Sequence, residues 1–250
     1  QLRCWNDAQD QREQRLLLLI AQYPEHAATL RAWSSASPVG KAGMPAWIGP
    51  YRVISLLGRG GFGEVYAAEQ EVPLHRRVAL KVLHAGLDSK VVLERFHREQ
   101  EALARMNHDA VARIYDAGTT ADGRPYIAME LVEGQPLVQY CNAVGLPLRE
   151  RLELFVKVCH GVHHAHQKGV VHRDLKPSNV LVTQRDGQSQ PKLIDFGVAR
   201  AFLGDGWDAS LTQTGMLLGT PAYMAPEQVL GDAAAIDTRT DVYGLGAVLY

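Results

Sequence analysis

One short stretch restricts this chain more than any other. His172-Arg173-Asp174-Leu175-Lys176-Pro177-Ser178-Asn179 sets a carboxylate, a lysine and a carboxamide at offsets 0, +2 and +5. Asp195-Phe196-Gly197 follows sixteen residues after Asn179. A hairpin between them would bring a second carboxylate beside the carboxamide. Such a pair makes a hard oxygen site suited to Mg2+, whose other ligands are phosphate and water. Asp174 then stands ready for an incoming hydroxyl, and Lys176 for the charge on a transferring phosphoryl group. A polar loop holding these residues by chance is a poor account of eight consecutive positions and a downstream Asp-Phe-Gly.

A second signal lies upstream. Gly58-Arg-Gly60-Gly-Phe-Gly63-Glu-Val65 contains G-x-G-x-x-G, which is weak by itself. A dinucleotide fingerprint needs a helix opening at the third glycine. Here Val65-Tyr66-Ala67 follows and reads as a strand. The dinucleotide reading is therefore rejected, and the bland alternative is a glycine-rich hairpin turn. A strand–turn–strand of this kind lets backbone N–H groups approach phosphates without Cβ obstruction. Val65 would then rest on a planar base.

Lys81 sits in Val78-Ala79-Leu80-Lys81, a strand expected to be buried on both faces. A lysine there needs an anionic partner, because an unpaired buried charge is expensive. In the following segment Val92, Phe96, Leu103 and Met106 share one helical face, and Glu99 lies on it. Glu94, Arg98, Glu101 and Arg105 lie opposite, at spacings suited to surface pairs. Glu99 is thus the expected partner of Lys81.

Around these signals the texture changes along the chain. Residues 7–22 and 24–33 read as helices, and Ser34 to Gly40 as a linker. Tyr51–Leu57, Glu64–Ala68 and Arg77–Leu83 read as strands, followed by a helix from about Ser89 to Met106. Val111–Tyr115 and Tyr126–Leu131 are further strand candidates, and a long helix is expected from about Arg149 to Lys168. Strands first and helices later predict an α+β fold in two lobes. The small lobe would be an antiparallel sheet plus one helix, and the larger lobe mainly helical. The expected organisation is residues 1–47 as N-terminal helices and linker and 48–250 as the catalytic domain, with lobes at about 48–132 and 133–250.

Composition excludes several classes. The chain has 250 residues, 46% hydrophobic and 21% charged, which rules out wholesale disorder. Lys and Arg number 26 against 27 Asp and Glu, so there is no electrostatic footprint for nucleic acid or an anionic membrane. No apolar run approaches the roughly 20 residues of a membrane span. Cys4, Cys141 and Cys159 are widely spaced and suggest neither a disulfide framework nor a zinc site, which fits a reducing cytoplasm. The start at Gln1 and the apolar stop at Tyr250 read as cuts in a longer protein. A membrane tether, if there is one, would lie in a missing C-terminal part.

Taken together, the motifs resemble those of the protein kinases, and most closely the eukaryotic-like serine/threonine kinases of bacteria. The resemblance covers roughly Tyr51 to Tyr250. It implies that ATP and Mg2+ are used and that proteins bearing Ser or Thr are the acceptors. Leu57, Gly58, Gly60, Gly61, Phe62 and Gly63 would form the loop over the ATP phosphates. Lys81 would pair with those phosphates and with Glu99. Asp174 would be the catalytic base, with Lys176 beside it, and Asn179 and Asp195 would hold Mg2+. Met129 matches the gatekeeper, and Glu130 to Val132 match the hinge that hydrogen-bonds adenine. Val65, Ala79 and Leu181 would sandwich the base. Leu103, Ile114, Phe196 and His172 match the stacked column of an active lobe arrangement. Ala225-Pro226-Glu227 would close the activation segment, Thr220 would tether Asp174 and Lys176, and Asp241 would support the catalytic loop. Departures are Asp109 after His108, where Pro is common, and Gly244, where Ser is common; neither is expected to touch the chemistry. The family continues with several more helices, and without them Glu227 would lack the arginine partner they usually supply.

The resemblance also implies regulation. Arg173 precedes Asp174 and would receive a phosphate on the activation segment. Thr212 and Thr214 are the expected sites, phosphorylated in trans through transient self-association. His160 and His164 have the spacing of a metal pair, but packed or surface histidines are favoured, with His163 and His166 facing the core beside Phe155, Cys159 and Val162. The competing readings are a small-molecule phosphotransferase, disfavoured by the Ala-Pro-Glu closure, and a nucleotide-binding pseudokinase, disfavoured because Lys81, Asp174 and Asp195 are all present. Tyrosine specificity is disfavoured by Lys176.

Overall fold

The computed structural model describes residues 44–61, 63–84, 105–185, 187–196 and 221–250, with Ala21 and Pro24. The expected helix around Glu99, and with it Leu103, lies outside those residues. So do Phe62, Gly197, Thr212, Thr214 and Thr220, and nearly all of the two N-terminal helices.

Six strands form an antiparallel sheet: β1 (Trp47–Ile48), β2 (Tyr51–Gly60), β3 (Gly63–Gln70), β4 (Arg76–Leu83), β5 (Ile114–Thr119) and β6 (Pro125–Glu130). Their order is β1-β2-β3-β4-β6-β5. The pleat sorts the side chains into two sets. Tyr66, Ala68, Val78, Leu80, Val82, Tyr126 and Ala128 pack with Ile48 and Tyr51 in one apolar cluster. The alternate residues are aligned by register: Val65 opposite Lys81 opposite Ile127, and Ala67 opposite Ala79 opposite Met129. Because successive residues face opposite sides, these six share the other face, toward the rest of the molecule. Lys81 was placed on that face by the parity of one strand.

The rest of the described chain holds helices, a small sheet and the loops that join them. Helix α1 (Leu137–Ala143) is followed by α2 (Leu148–Gln167). The buried positions of α2 are Leu154, Val158, Gly161, Val162 and Ala165, one stripe at helical spacing. Each fully buried Val or Leu there contributes about 1.5–3 kcal/mol. This register differs from the expected one, since His163 is exposed and Phe155 and Cys159 are only half-buried. Arg151 donates from Nε to Leu146 O at 2.8 Å and from Nη2 to Cys141 O at 3.2 Å. It thereby ties the connection between α1 and α2 to the start of α2.

A three-stranded sheet, β7 (Gln135–Pro136), β8 (Val180–Arg185) and β9 (Gln188–Leu193), lies between these helices and the large sheet. Its β8–β9 hairpin is the one expected from the polar loop. Gly161 lets α2 approach it closely, since a Cβ there would lie 2.9 Å from Leu193 Cδ1 and 3.1 Å from Ala110 Cβ. Val111 does not begin a strand as expected. It makes an isolated parallel bridge to Leu193, and β5 starts three residues later. The chain ends in α3 (Pro226–Val229) and α4 (Thr238–Leu249). Asp237 caps α4 by accepting from Arg239 N at 2.8 Å.

Candidate active site

The site is built where the two sheets meet. Val180 pairs with Leu193, and the ladder continues one step as Ile194 N donates to Asn179 O at 2.9 Å. That step carries Asp195 back beside Asn179. Leu193 is also clamped from the other side: its N–H donates to Ala110 O at 2.8 Å, and its carbonyl accepts from Ala112 N at 2.9 Å. Asp195 itself has φ +63°, a left-handed conformation that a non-glycine residue adopts only under constraint.

Lys81 reaches Asp195 across the gap between the sheets, its Nζ on Asp195 Oδ1. The lysine side chain is 10% exposed, so the charge needs this partner. The partner expected from sequence was Glu99, which lies outside the described residues. The ammonium therefore bridges β4 of the large sheet to the residue that follows β9. A small cavity beside it is lined by Ala112, Ile114, Ile127, Met129, Leu193 and Phe196.

Asp174 is oriented from two directions. Lys176 Nζ lies 2.9 Å from Asp174 Oδ2, and Asn179 Nδ2 donates to the same oxygen at 3.0 Å. The Asn179 amide also donates to Asp174 O at 2.8 Å. With its nitrogen so committed, Asn179 keeps Oδ1 for another electropositive group. Asn179 and Asp195, joined through the Asn179–Ile194 hydrogen bond, thus supply two hard oxygens of the kind Mg2+ takes. Among the described residues no group of three or more His, Cys, Asp or Glu could hold a metal. The donor set fits an ion that keeps most of its shell as water and phosphate, and not a structural transition metal.

The loop bearing Asp174 is held from below by one carboxylate. Asp241, in the first turn of α4, accepts from His172 N at 2.7 Å and Arg173 N at 2.8 Å. His166 Nε2 lies 2.8 Å from Asp241 Oδ2, with the carboxylate side chain 1% exposed. His166, expected simply to pack in the core, thus belongs to the support of this loop. Gly244 does as well: a Cβ there would lie 3.0 Å from Leu175 Cβ, so α4 approaches the loop more closely than a larger residue permits.

His172 is fully buried. Its Nε2 donates to Ile194 O at 3.1 Å, and its Nδ1 accepts from Asp174 N at 3.3 Å. One donor and one acceptor define the neutral imidazole. Burial pushes its pKa below the ordinary value, against the opposing pull of Asp241, Asp174 and Asp195. The ring also stacks on Phe196 with centroids 4.6 Å apart, while Ile114 packs on the same core.

The glycine loop is the β2–β3 turn, with Gly58 opposite Val65 and Gly60 opposite Gly63. No atom lies within 4 Å of a Cβ built on Gly58. Gly63 is the opposite case, since its Cβ would fall 2.0 Å from Val82 O. The first glycine thus leaves space over the strand, while the third permits β3 to pass β4. Leu57 and Gly61 are exposed. On the far side of the gap, Gly134 follows the expected hinge Glu130 to Val132. A Cβ at Gly134 would meet Val182 O at 2.6 Å, so the connection lies tight on β8 next to Leu181. The Glu130 side chain turns away to Lys192 Nζ at 2.9 Å and accepts from Arg113 N at 3.1 Å.

A two-sheet cleft with this loop, lysine, carboxylates and carboxamide defines a protein kinase, and the chain belongs to that family: the model for the protein kinase domain matches residues 51–250. Within the family its relatives are bacterial serine/threonine-protein kinases. It is 42% identical over 203 residues to serine/threonine-protein kinase pkn2 of Myxococcus xanthus, covering 81% of this chain and 24% of that protein. It is 40% identical over 206 residues to PknB of Mycobacterium leprae, covering 80% and 32% respectively. The chain therefore spans about a quarter to a third of the length of these relatives. Among solved structures, the kinase domain of Mycobacterium tuberculosis PknI is similar at a TM-score of 0.61 and 32% identity, over 86% of this chain and 75% of that one. Among the described residues no helix is long and apolar enough to cross a membrane.

Proposed function

We propose that residues 48–250 form a catalytic domain that transfers the γ-phosphoryl group of ATP to serine or threonine hydroxyls of proteins. One observation carries this reading: Lys81 of β4, the loop from Asp174 to Asn179 and Asp195 after β9 come from three stretches and meet at one cleft, through the Lys81–Asp195, Lys176–Asp174 and Asn179–Asp174 contacts and the hydrogen bond from Ile194 N to Asn179 O. In the same proposal residues 1–47 precede that domain, with Trp47 already paired into its first strand, and the lobes divide near Val132.

Adenine lies between Val65 and Ala79 above and Leu181 below, bonded to the backbone of Glu130 to Val132 next to Met129. The loop from Leu57 through Gly58, Gly60, Gly61, Phe62 and Gly63 covers the phosphates with oriented N–H groups. Lys81, held by Asp195 and also by Glu99, neutralises phosphate oxygens. Mg2+, held by Asn179 and Asp195, supplies charge neutralisation on the phosphates when bound. Asp174 orients the acceptor hydroxyl and takes its proton late in the step. The hydroxyl oxygen bonds to the γ-phosphorus as the bond to the bridging oxygen breaks, and ADP leaves. Lys176, 2.9 Å from Asp174, meets the charge on the phosphoryl group in flight. Positioning and charge neutralisation supply most of the acceleration in such a step.

The reading is tested with paired peptides that differ only in Ser, Thr or Tyr at the acceptor. Transfer to Ser and Thr but not Tyr is expected. Nucleotide binding without transfer to any of them would favour a pseudokinase. Autophosphorylation in trans at Thr212 and Thr214, with Arg173 receiving the phosphate, belongs to the same proposal. Loss of activity, or a lag, in Thr212→Ala/Thr214→Ala is expected, and full activity without a lag sinks that part.

A further inference from the structure

Arg173 has φ +64°, the left-handed region, directly before Asp174. For a residue with a Cβ this costs about 1–2 kcal/mol, and it persists only when the surroundings over-determine it. Two side chains from distant elements do so. Asp241 Oδ1 accepts from Arg173 N at 2.8 Å, which fixes the peptide plane entering Arg173. Gln228 Nε2 donates to Arg173 O at 2.7 Å, which fixes the plane leaving it. That second plane carries the N–H of Asp174, whose acceptor is His172 Nδ1 at 3.3 Å.

The other end of the same carboxamide is also used. Gln228 Oε1 accepts from Ala225 N at 3.1 Å and so caps the start of α3. Ala225 has no side-chain oxygen to cap with, so Gln228 is the residue that ties this helix start down. One side chain therefore accepts from the Ala-Pro-Glu segment and donates to the catalytic loop at once. Of the side chains of this length, only a neutral carboxamide or a protonated carboxyl can do both.

We infer that Gln228 is a positioning residue for Asp174, a strut that sets the left-handed turn before the catalytic carboxylate according to where the Ala-Pro-Glu segment sits. The inference rests on the kinase reading for its catalytic consequence, though the strut itself does not depend on it.

Gln228→Glu separates the two roles. An ionised glutamate still accepts from Ala225 N, so the helix start stays capped. It has no hydrogen for Arg173 O and sets a negative charge against that carbonyl. The expected result at about pH 8 is a kcat lowered about tenfold, with KM for ATP unchanged and Tm near that of the wild type. As pH falls toward about 5.5 the side chain begins to protonate, the acid can donate again, and the deficit shrinks. Gln228→Met loses both bonds and shows the rate loss without recovery on acidification. A second readout is independent of catalysis. Amide exchange of the peptide spanning residues 170–176 should be faster in Gln228→Glu than in the wild type at about pH 8. A wild type that transfers no phosphate would defeat the kinase reading, and the exchange measurement alone would then decide the strut. Wild-type exchange in Gln228→Glu overturns the inference, as does a rate deficit that does not shrink with acidification.

Discussion

Asp241→Asn is the sharpest perturbation of the frame beneath Asp174. The native carboxylate accepts two backbone N–H groups, from His172 and Arg173, and faces His166 Nε2, with its side chain 1% exposed. Asparagine keeps one oxygen and turns an NH2 toward a donor. At least one backbone N–H then loses its acceptor in a place water does not reach, at about 1–3 kcal/mol, and the surviving bond loses its charge assistance. A total of about 2–4 kcal/mol corresponds to a fall in Tm of roughly 5–15 °C for a domain of this size. The rate should suffer beyond the stability loss. Arg173 no longer has both peptide planes held, its left-handed turn relaxes, and Asp174 moves with it. A kcat fall of at least about tenfold at a temperature where the variant is folded corresponds to roughly 1.4 kcal/mol of lost transition-state alignment. KM for ATP should hardly change, because Lys81 and the large sheet are untouched. The assays are thermal unfolding and initial rates at saturating Mg-ATP. A variant with unchanged Tm and unchanged kcat would refute the account of the loop.

Three further outcomes follow from particular contacts. Gly63→Ala places a Cβ 2.0 Å from Val82 O, so β3 must shift from β4; Tm should fall and KM for ATP should rise, whereas Gly58→Ala, with open space at its Cβ, should leave Tm unchanged. Lys81→Met removes the cation that holds Asp195 and should abolish detectable transfer while the fold survives, read by circular dichroism beside the rate assay. His172 and His108 are both held below the ordinary histidine pKa by burial, so the unfolded chain binds protons that the folded chain does not. Their contribution is fully present above about pH 6.5 and is lost as pH falls below it, so Tm should drop from about pH 7 to about pH 5, and His108→Gln should flatten that slope.

Much of the fold was legible because period-two and helical patterns report burial directly. Strand β4, buried from Val78 to Leu83, and the twenty-residue α2 are the clearest cases. The β8–β9 hairpin followed from the spacing of Asn179 and Asp195. The register of α2 was misread because histidines were counted with the apolar stripe, although His163 is exposed and Gly161 is buried against Leu193. The start of β5 was misread because Val111 pairs with Leu193, a partner 82 residues away that no local pattern reveals. In the site, residue types announced Lys81, Asp174, Lys176, Asn179 and Asp195. Of the parts that set their angles, Asp241 was expected to support the catalytic loop and does, while others did not announce themselves. Gln228 has the Gln spacing of a capping box, but Ala225 supplies no hydroxyl to complete that signature. His166 passed for a packing residue, and Glu227, expected to lack its arginine partner, accepts from Thr240 Oγ1 in α4. The contact between Lys81 and Asp195 spans 114 residues and depends on how the two sheets face each other.

The central claim is that the Lys81–Asp195 and Asp174–Asn179 groups perform phosphoryl transfer from ATP. It is tested most directly by intact mass and peptide mapping after incubation with Mg-ATP, for the wild type beside Asp195→Asn. The account predicts added phosphate on Ser or Thr in the wild type alone. Equal phosphate gain in Asp195→Asn, or none in a folded wild type that binds ATP, would contradict it.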